Sequence, residues 1–251
     1  MSGYRDFSEF YDRLMTDVDY KGRAKYLLSL FERYGSRPAI VLDIACGSGN
    51  LCEALIDLGV DPIGIDASEG MLAKAMIKPK LVEHQALLLQ QDMRELDLYG
   101  TADGAVCILD SVNHLCKTAD VKRFLERLRY FVEPNGLFIF DVNTPYKHKA
   151  VLADNAFVFE QDDFVCVWQN HYIPKTAITT MDLDFFVYDE DDRYLRLSDT
   201  VRERAYSLRM LKTLLEQTGW EFVDVLEDGT FDMPTDTTER WVIVAKNRYG
   251  T

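Results

Sequence analysis

Apolar residues along this chain recur at two spacings, and each spacing predicts one type of secondary structure. Short apolar runs such as AIVLDIA, starting at position 39, are typical of buried strands, whereas apolar residues three or four positions apart are typical of amphipathic helices. Between residues 38 and 145 the two patterns follow one another in turn. Strands separated by helices predict parallel pairing with right-handed crossovers, so we expect a doubly wound α/β fold here.

Two segments depart from this alternation. Residues 1–35 carry apolar positions at helical spacing and predict two short helices that end at Gly35. Residues 156–205 alternate apolar and polar positions with polar turns between them, which predicts an antiparallel sheet. The helical pattern of 208–218 and two strands then complete a seven-stranded, mostly parallel sheet. The predicted units are a helical cap (1–35), a core (36–150 and 206–251) and an inserted β lid (151–205).

Composition and charge restrict the partners of the protein. A formal net charge of −14 over 251 residues repels phosphate backbones, so we expect no nucleic-acid partner. No apolar run approaches the roughly 20 residues that cross a bilayer, and the N-terminal sequence is polar. These features predict a cytoplasmic protein without a membrane partner.

The cysteines and histidines do not form a metal-binding pattern. Five cysteines, an odd number without a C-x-x-C pair, are typical of reduced thiols. The four histidines are scattered along the chain. We therefore expect neither a disulfide framework nor a metal site.

A glycine turn follows the first strand, in the segment VLDIACGSGN at residues 41–50. Glycine lets backbone approach a ligand where a Cβ would clash, and the next helix offers unpaired N–H donors. A tight strand-to-helix turn alone would also explain these glycines. The second and third strands end at Asp66 and Asp92, at the sheet edge where doubly wound folds bind ligands, although each could also be a solvated loop carboxylate.

The residues around the glycine turn distinguish between two nucleotide cofactors. A dinucleotide-binding turn has a third glycine where this chain has Cys52, and a pyrophosphate would be repelled by Asp43. A sulfonium and an ammonium group gain from acidic neighbours. The turn therefore favours S-adenosylmethionine over NAD.

VLDIACGSGN resembles motif I of the class I S-adenosylmethionine-dependent methyltransferases, with Ala45 where many members have the first glycine of the loop. GIDAS, QQDMREL and ILDSVNHL are similar to the segments that follow strands two, three and four in that family, and RAYSLRMLKTLLEQTGWEFVDV to its closing helix and strand. YDRLMTDVDY, FDVNTPYK and the predicted lid further resemble a bacterial subgroup with a small β lid.

The resemblance implies a set of cofactor-binding residues. Asp43, Gly47 and Gly49 would face the methionine part of the cofactor and Asp66 the ribose. Asp92 with Met93 would contact the adenine, and Tyr20 would cover the cofactor. The remaining members of this predicted set are Ala45, Ala67, Met71, Leu109 and Asp110.

Methyl transfer is an in-line displacement that needs alignment and exclusion of water more than a dedicated nucleophile. We expect nitrogen or oxygen of a small molecule as the acceptor, and Asn113, His114 and Tyr11 as candidate catalytic residues. His114 is equally well explained as a polar residue at a helix start. The predicted substrate-binding residues are Asn143, Tyr146, Arg204 and Tyr206.

Arg204 admits two interpretations. Its guanidinium could pair with a carboxylate or phosphate of the acceptor, or with a carboxylate of the lid. The segment NTPY at 143–146 resembles the N-P-P-Y motif of adenine and glutamine methyltransferases, but it follows strand five, so we interpret it as the hinge into the lid.

Two other functions stay open: a non-catalytic S-adenosylmethionine-binding protein and, less favoured because of Cys52, an NAD(P)-linked oxidoreductase. The sequence leaves monomer and homodimer open.

Overall fold

The computed structural model describes residues 18–161, 163–189 and 193–248. It contains a seven-stranded sheet, a separate four-stranded sheet and six α-helices within these residues. The helices are α1 (Tyr20–Tyr34), α2 (Asn50–Asp57), α3 (Glu69–Met76), α4 (Pro79–His84), α5 (Thr118–Leu128) and α6 (Leu208–Gln217). The strands of the large sheet are β1 (Ile40–Ile44), β2 (Asp61–Asp66), β3 (Leu87–Gln90), β4 (Ala102–Cys107), β5 (Val132–Asn143), β10 (Trp220–Glu227) and β11 (Arg240–Asn247).

The large sheet has the order β10-β11-β5-β4-β1-β2-β3. Strands β1 to β5 pair in parallel, and only β11 runs antiparallel, to β5 and to β10. The chain order reverses between β1 and β4, which creates a crevice beyond the carboxyl ends of these strands. The doubly wound fold with an antiparallel strand in a mostly parallel sheet is therefore confirmed.

Both faces of this sheet are buried, which explains its continuous apolar strands. One face packs against α5 and α6 through a group of aromatic rings: Phe138 stacks on Phe140 with ring centres 4.7 Å apart and contacts Phe124 and Trp220. The other face packs against α1 and α2. This rigid sheet fixes the positions of the loops that follow β1, β2 and β4.

Local sequence signals set the helix ends. The Ser68 hydroxyl accepts a hydrogen bond from the Met71 N–H at 3.2 Å, so the predicted N-cap of α3 is present. Helix α1 ends at Tyr34, followed by Gly35, as the pattern predicts. The short helix α4 was not predicted, and it begins with Pro79, a residue suited to the first helical turn. The first predicted helix and Tyr11 lie outside the described residues.

The second sheet is an antiparallel meander of β6 (Ala156–Gln161), β7 (Phe164–Ile173), β8 (Ile178–Asp189) and β9 (Arg193–Arg204). A short helical segment of π type, Lys147–Leu152, connects β5 to it. The antiparallel sheet predicted between 156 and 205 is confirmed, whereas the division of the chain into cap, core and lid stays a prediction. None of the helices in the described part of the chain combines the length and apolarity needed to span a bilayer.

Candidate cofactor and acceptor cavities

The turn between β1 and α2 is built from left-handed backbone. Ala45, Gly47 and Gly49 have φ angles of +59°, +56° and +76°. A Cβ on Gly49 would lie 2.7 Å from Cδ1 of Leu81, so that glycine is needed for packing. A Cβ on Gly47 would meet no protein atom within 4 Å, because that side of the turn faces open space. Gly47 thus presents bare backbone to a ligand.

A cavity lies beside this turn, and its charge fits a cationic ligand. Its wall, within the described residues, contains the carboxyl group of Asp43 and no lysine, arginine or histidine. Asp43 is 1% exposed, and burial raises its pKa to about 7, although the thiol of Cys52 donates to it at 3.2 Å. Other wall residues are Tyr20, Ala45, Cys46, Gly47, Ser48, Ile108 and Leu109. A sulfonium with an ammonium group suits this wall better than a pyrophosphate does.

Asp66 ends β2 beside the same turn. Its Oδ2 accepts the N–H of Gly47 and its Oδ1 accepts the N–H of Ser68, both at 2.8 Å. Burial raises the pKa of this carboxyl, and the backbone N–H bonds oppose that shift. Each carboxylate oxygen can accept a further bond, so Asp66 can still receive ribose hydroxyls.

Seven predicted cofactor residues lie outside the wall of this cavity, namely Gly49, Asp66, Ala67, Met71, Asp92, Met93 and Asp110. The Asp92 carboxylate accepts a hydrogen bond from Nε of Arg94 at 2.8 Å, and it caps the short helical turn that begins at Met93. Ala67 and Met71 lie beside the α3 N-terminus, where Met71 is buried. Their contacts with ribose or adenine stay predictions.

A strained turn follows β4. Leu109 and Asp110 have φ angles of +56° and +55°, a conformation that costs roughly 1–2 kcal/mol for each such residue. The carboxylate of Asp141 accepts both backbone N–H groups, at 2.8 and 2.6 Å. Arg240 binds Asp141 at 2.7 Å and Asp110 at 2.5 Å. The buried Asp141 therefore holds the turn in one conformation.

A second cavity, of about 280 Å³, lies between this turn and the lid. Its ionisable lining residues are Asp110, His114, Lys147, Glu203 and Arg240. Its apolar wall is formed by Leu152 together with residues of all four lid strands, namely Phe159, Trp168, Met181, Leu183 and Val201. Leu109 lines this cavity and the one beside the glycine turn. The two cavities, hereafter the cofactor cavity and the acceptor cavity, therefore have this one wall residue in common.

Two carboxyl groups meet in the acceptor cavity. Glu203 is 3% exposed, and its Oε2 accepts Nδ2 of Asn143 at 2.9 Å. Burial and the negative charge of Asp110 raise the pKa of Glu203 well above its usual range. Burial acts in the same direction on Asp110, but the charge of Arg240, a hydrogen bond with Glu203 and smaller contributions together outweigh it and hold the pKa of Asp110 well below its usual range. The pKa values of these two carboxyl groups are thus shifted in opposite directions.

His114 completes a group of three potential metal ligands. One atom each from Asp110, His114 and Glu203 lies within 4.8 Å of the others. These residue types can bind a divalent cation, although Arg240 and Lys147 bring positive charge to the same wall. The expectation of a metal-free protein therefore stays a prediction.

Arg204 and Tyr206 lie outside the wall of the acceptor cavity. Neighbouring residues on a strand point to opposite faces, and Glu203 is the one that turns toward the cavity. The Arg204 guanidinium donates to the Cys116 carbonyl and the Thr118 hydroxyl, both at 3.2 Å. Tyr206 is fully buried, and its hydroxyl donates a hydrogen bond to the carbonyl of Leu115. Neither residue belongs to the wall of the acceptor cavity as the described residues form it, and the contacts of both with an acceptor stay predictions.

The other predicted catalytic and substrate residues divide into two groups. His114 and Asn143 line the acceptor cavity, as expected. Asn113 is fully buried, and its amide joins β5 to the lid by accepting the N–H of Asn143 and donating to the carbonyl of Arg204, both at 2.9 Å. These bonds give Asn113 a structural role, and its catalytic role stays a prediction. Tyr146 lies outside the cavity wall.

Sequence analysis missed Asp141, Arg240 and Glu203. A signal existed for Asp141, because a carboxylate inside the apolar strand LFIFDVN must have partners when it is buried. Arg240 and Glu203 carry no comparable signal, since both belong to strands with many charged residues.

Comparison with known proteins identifies the family. A family model described as a methyltransferase domain matches residues 41–136. The protein YqeM of Bacillus subtilis (strain 168), provisionally named a methyltransferase, is 30% identical over 239 residues, which cover 94% of this chain and 94% of that protein. The chain belongs to the class I S-adenosylmethionine-dependent methyltransferases. S-adenosylmethionine is the cofactor of this family, and the cofactor cavity of this methyltransferase fits it.

Two further comparisons extend this result. The crystal structure of an S-adenosylmethionine-dependent methyltransferase from Clostridium acetobutylicum ATCC 824 superimposes with a TM-score of 0.84 at 28% identity, covering 97% of this methyltransferase and 98% of that chain. A dTDP-3-amino-3,6-dideoxy-α-D-glucopyranose N,N-dimethyltransferase of Streptomyces fradiae is 30% identical over 136 residues, which cover 53% of this chain and 52% of that protein.

Proposed function

We propose that this methyltransferase transfers the methyl group of S-adenosylmethionine to a nitrogen or oxygen atom of a small molecule held in the acceptor cavity. The observation that carries the proposal is the shared wall at Leu109, which brings a cofactor cavity and a second cavity together beyond the carboxyl end of β4. Bound cofactor supplies a methyl group on positively charged sulfur, which leaves as a neutral thioether.

The residues of the chain supply binding and alignment. Asp43 places negative charge beside the cofactor, Gly47 offers backbone that a ligand can approach, and Asp66 can accept ribose hydroxyls. Asp141 fixes the turn that separates donor from acceptor. Since an in-line displacement depends on the angle and distance of approach, a rigid turn at this position contributes to the rate.

The acceptor cavity supports a small substrate. A volume of about 280 Å³, covered by the four strands of the lid, accommodates a metabolite-sized molecule. Apolar lid side chains exclude water from the site of transfer. The amino-sugar N,N-dimethyltransferase that resembles half of this chain is named for a nitrogen acceptor on a small molecule. These points support a metabolite rather than a nucleic acid as substrate.

Ligand-induced stabilisation and turnover test this proposal separately. S-adenosylmethionine and its demethylated product should raise the melting temperature, as any ligand of the native state does, whereas NAD should not. Equal stabilisation by NAD would refute the cofactor assignment. Transfer of labelled methyl from the cofactor into a protein-free metabolite extract should then give a labelled small molecule. Binding without turnover would instead support the non-catalytic S-adenosylmethionine-binding protein.

A further inference from the structure

We propose that Lys147 binds a carboxylate of the methyl acceptor, so that the substrates are small carboxylic acids with an apolar body and a separate nitrogen or oxygen that receives the methyl group. This inference rests on the proposed methyl transfer and names the acceptor class of the same site. It is carried by the Lys147 ammonium group, which lies in the wall of the acceptor cavity and has no ionic partner among the described residues.

The Lys147 side chain reaches the cavity wall from the start of the short segment that connects β5 to the lid. Its ammonium donates to Oδ1 of Asn143 at 3.1 Å, which is its single side-chain hydrogen bond within the described residues. The backbone N–H of Lys147 donates to the Thr144 hydroxyl at 3.1 Å and fixes the start of the segment. An ammonium group has three N–H donors, so two remain for a ligand.

The amide of Asn143 holds this ammonium at the wall. Asn143 is 3% exposed, and its Nδ2 donates to Oε2 of Glu203 at 2.9 Å while its Oδ1 accepts the lysine. Its backbone N–H donates to Oδ1 of Asn113 at 2.9 Å. Because the amide is bonded at both of its polar atoms, it presents a fixed acceptor that keeps the lysine nitrogen beside the cavity.

The other charged groups of the wall already have partners inside the protein. Arg240 binds Asp110 at 2.5 Å and Asp141 at 2.7 Å, so two carboxylates share its charge. Glu203 accepts the buried amide described above. Lys147, by contrast, is bonded to a neutral oxygen. Of the lysines and arginines in the described wall, Lys147 is therefore the one whose charge a ligand can neutralise.

A substrate that fills the cavity increases the need for such a partner. The substrate displaces water, and an ammonium group that loses water costs free energy unless an opposite charge replaces it. A carboxylate supplies that charge, and its oxygens accept the remaining N–H donors. The attraction is stronger beside apolar walls than in water, because the effective dielectric constant is lower. An acidic acceptor is thus favoured over a neutral one.

A carboxylate fits this ammonium better than a phosphate does. A carboxylate carries one negative charge, which one ammonium neutralises. A phosphate monoester carries about 1.5–2 negative charges at pH 7 and would require a second cation. Arg240 does not meet this requirement, since Asp110 and Asp141 share its charge. The wall therefore selects a carboxylic acid rather than a sugar phosphate or a nucleotide.

The remaining wall defines the body of the acceptor. Phe159, Trp168 and Leu183 present apolar surface from three lid strands, with the first two ring centres 6.1 Å apart. Trp168 pairs with Leu183 across β7 and β8. Alternation along these strands directs such side chains to one face of the sheet. The acceptor is thus a carboxylic acid carried by an aliphatic or flat ring skeleton.

A carboxylate held at Lys147 keeps the acceptor in the cavity that Leu109 also lines, next to the methyl donor. The bound carboxylate is engaged by the ammonium, so a different atom of the acceptor receives the methyl group. Lys147 then contributes binding that is the same before and during the transfer. Its loss should raise the KM for the acceptor and leave kcat almost unchanged.

The first test identifies the chemical class of the product. Wild-type protein is incubated with S-adenosylmethionine carrying a trideuterated methyl group and a protein-free metabolite extract. The labelled products are analysed by mass spectrometry before and after their carboxyl groups are esterified with ethanol. A labelled product with a free carboxyl group and the label on a nitrogen or oxygen outside it supports the proposal.

Three results of this test overturn the inference and leave the proposed methyl transfer intact. They are a labelled product without a carboxyl group, a labelled phosphate ester without a carboxyl group, and a label on the carboxylate itself. If the cofactor binds and no product is labelled, the proposed methyl transfer fails, and this inference fails with it.

Variants of Lys147 test its contact with the acceptor so identified. Lys147→Met removes the charge and should raise the KM for the acceptor about 10- to 100-fold, the contribution of a hydrogen bond between charged groups. Lys147→Arg keeps the charge and should recover most of this loss. Lys149→Met removes an exposed lysine of the same segment that lies outside the cavity wall, and it should keep the wild-type KM. Cofactor affinity should be unchanged in all three.

An analogue of the acceptor with a carboxamide in place of the carboxylate distinguishes binding from a structural role. Wild type should show a KM for the amide about 10-fold or more above that for the acid, whereas Lys147→Met should no longer distinguish them. Equal KM values of wild type for acid and amide would overturn the proposal, as would an equal rise of both in Lys147→Met. If Lys147→Met does not bind cofactor, its fold is disturbed, and Lys147→Gln takes its place in the same comparison.

Discussion

Replacing Asp43 by asparagine removes the carboxylate from the described wall of the cofactor cavity while leaving the side chain almost the same size. Burial raises the pKa of Asp43 from its usual value of 3.8 to about 7 in the protein without ligand. A cationic cofactor favours the ionised form of a neighbouring carboxyl group. Cofactor binding should therefore release a proton from Asp43 below pH 7, and the affinity should rise with pH.

The size of the effect follows from the ionised fraction. With a pKa of about 7, Asp43 is roughly 3% ionised at pH 5.5 and roughly half ionised at pH 7. If the ionised form binds the cofactor, affinity should increase about 15-fold over this interval, or about 1.6 kcal/mol, and level off above it. Asparagine cannot ionise, so the Asp43→Asn protein should lack this increase.

Isothermal titration calorimetry at several pH values measures the difference directly. The amino group of S-adenosylmethionine titrates in both proteins, so the difference between them isolates Asp43. Asp61→Asn, which removes an exposed carboxylate outside the cavity wall, should retain the wild-type slope. Parallel pH profiles for wild type and Asp43→Asn would refute the coupling between Asp43 and the cofactor.

The same pKa shift predicts the stability of the ligand-free protein. Because the pKa of Asp43 is higher in the folded than in the unfolded state, the folded state binds more protons between pH 3.8 and about 7. The contribution of Asp43 to the free energy of unfolding is therefore full below pH 3.8 and is lost as pH rises through 7. Urea unfolding should show that the difference in unfolding free energy between wild type and Asp43→Asn changes in this window.

Three further substitutions have defined outcomes. Gly47→Ala and Gly59→Ala each place a Cβ at positive φ in open space, so each should lower the free energy of unfolding by roughly 1–2 kcal/mol. Gly47→Ala alone should also weaken cofactor binding. Equal cofactor affinities of the two variants in calorimetry would show that Gly47 does not face the cofactor. Asp141→Ala removes the buried carboxylate that binds Arg240 and both N–H groups of the turn, and it should lower the free energy of unfolding by about 3–5 kcal/mol in urea. A loss below about 1 kcal/mol would contradict the role of Asp141 in holding the turn. Arg204→Lys should lower the free energy of unfolding by about 1–2 kcal/mol without changing the KM for the acceptor. A rise in this KM would show that Arg204 contributes to acceptor binding.

Most of the fold could be predicted because its elements are set by local patterns. The apolar run around β1, the Ser68 cap of α3 and the alternation between 156 and 205 each depend on neighbouring residues in the sequence. The glycine turn and Asp66 could be placed for the same reason, since strand ends define one edge of a parallel sheet.

The acceptor cavity could not be predicted to the same extent because long-range packing determines it. Period-two alternation shows that Glu203 and Arg204 point to opposite faces of β9, but it does not show which face lies against the large sheet. The docking of the lid sets that choice. The left-handed turn at Leu109 and Asp110 depends on Asp141, which is 32 residues from Leu109 in sequence. No local pattern encodes such a contact.

A crystal structure with S-adenosylhomocysteine would show whether the two cavities form one site. We expect the ribose hydroxyls to bind the carboxylate of Asp66, the amino group to lie beside Asp43, and the sulfur to lie at Leu109 with a clear path to Asp110 and Glu203. A sulfur atom directed away from the acceptor cavity, or a ligand bound elsewhere on the protein, would contradict it.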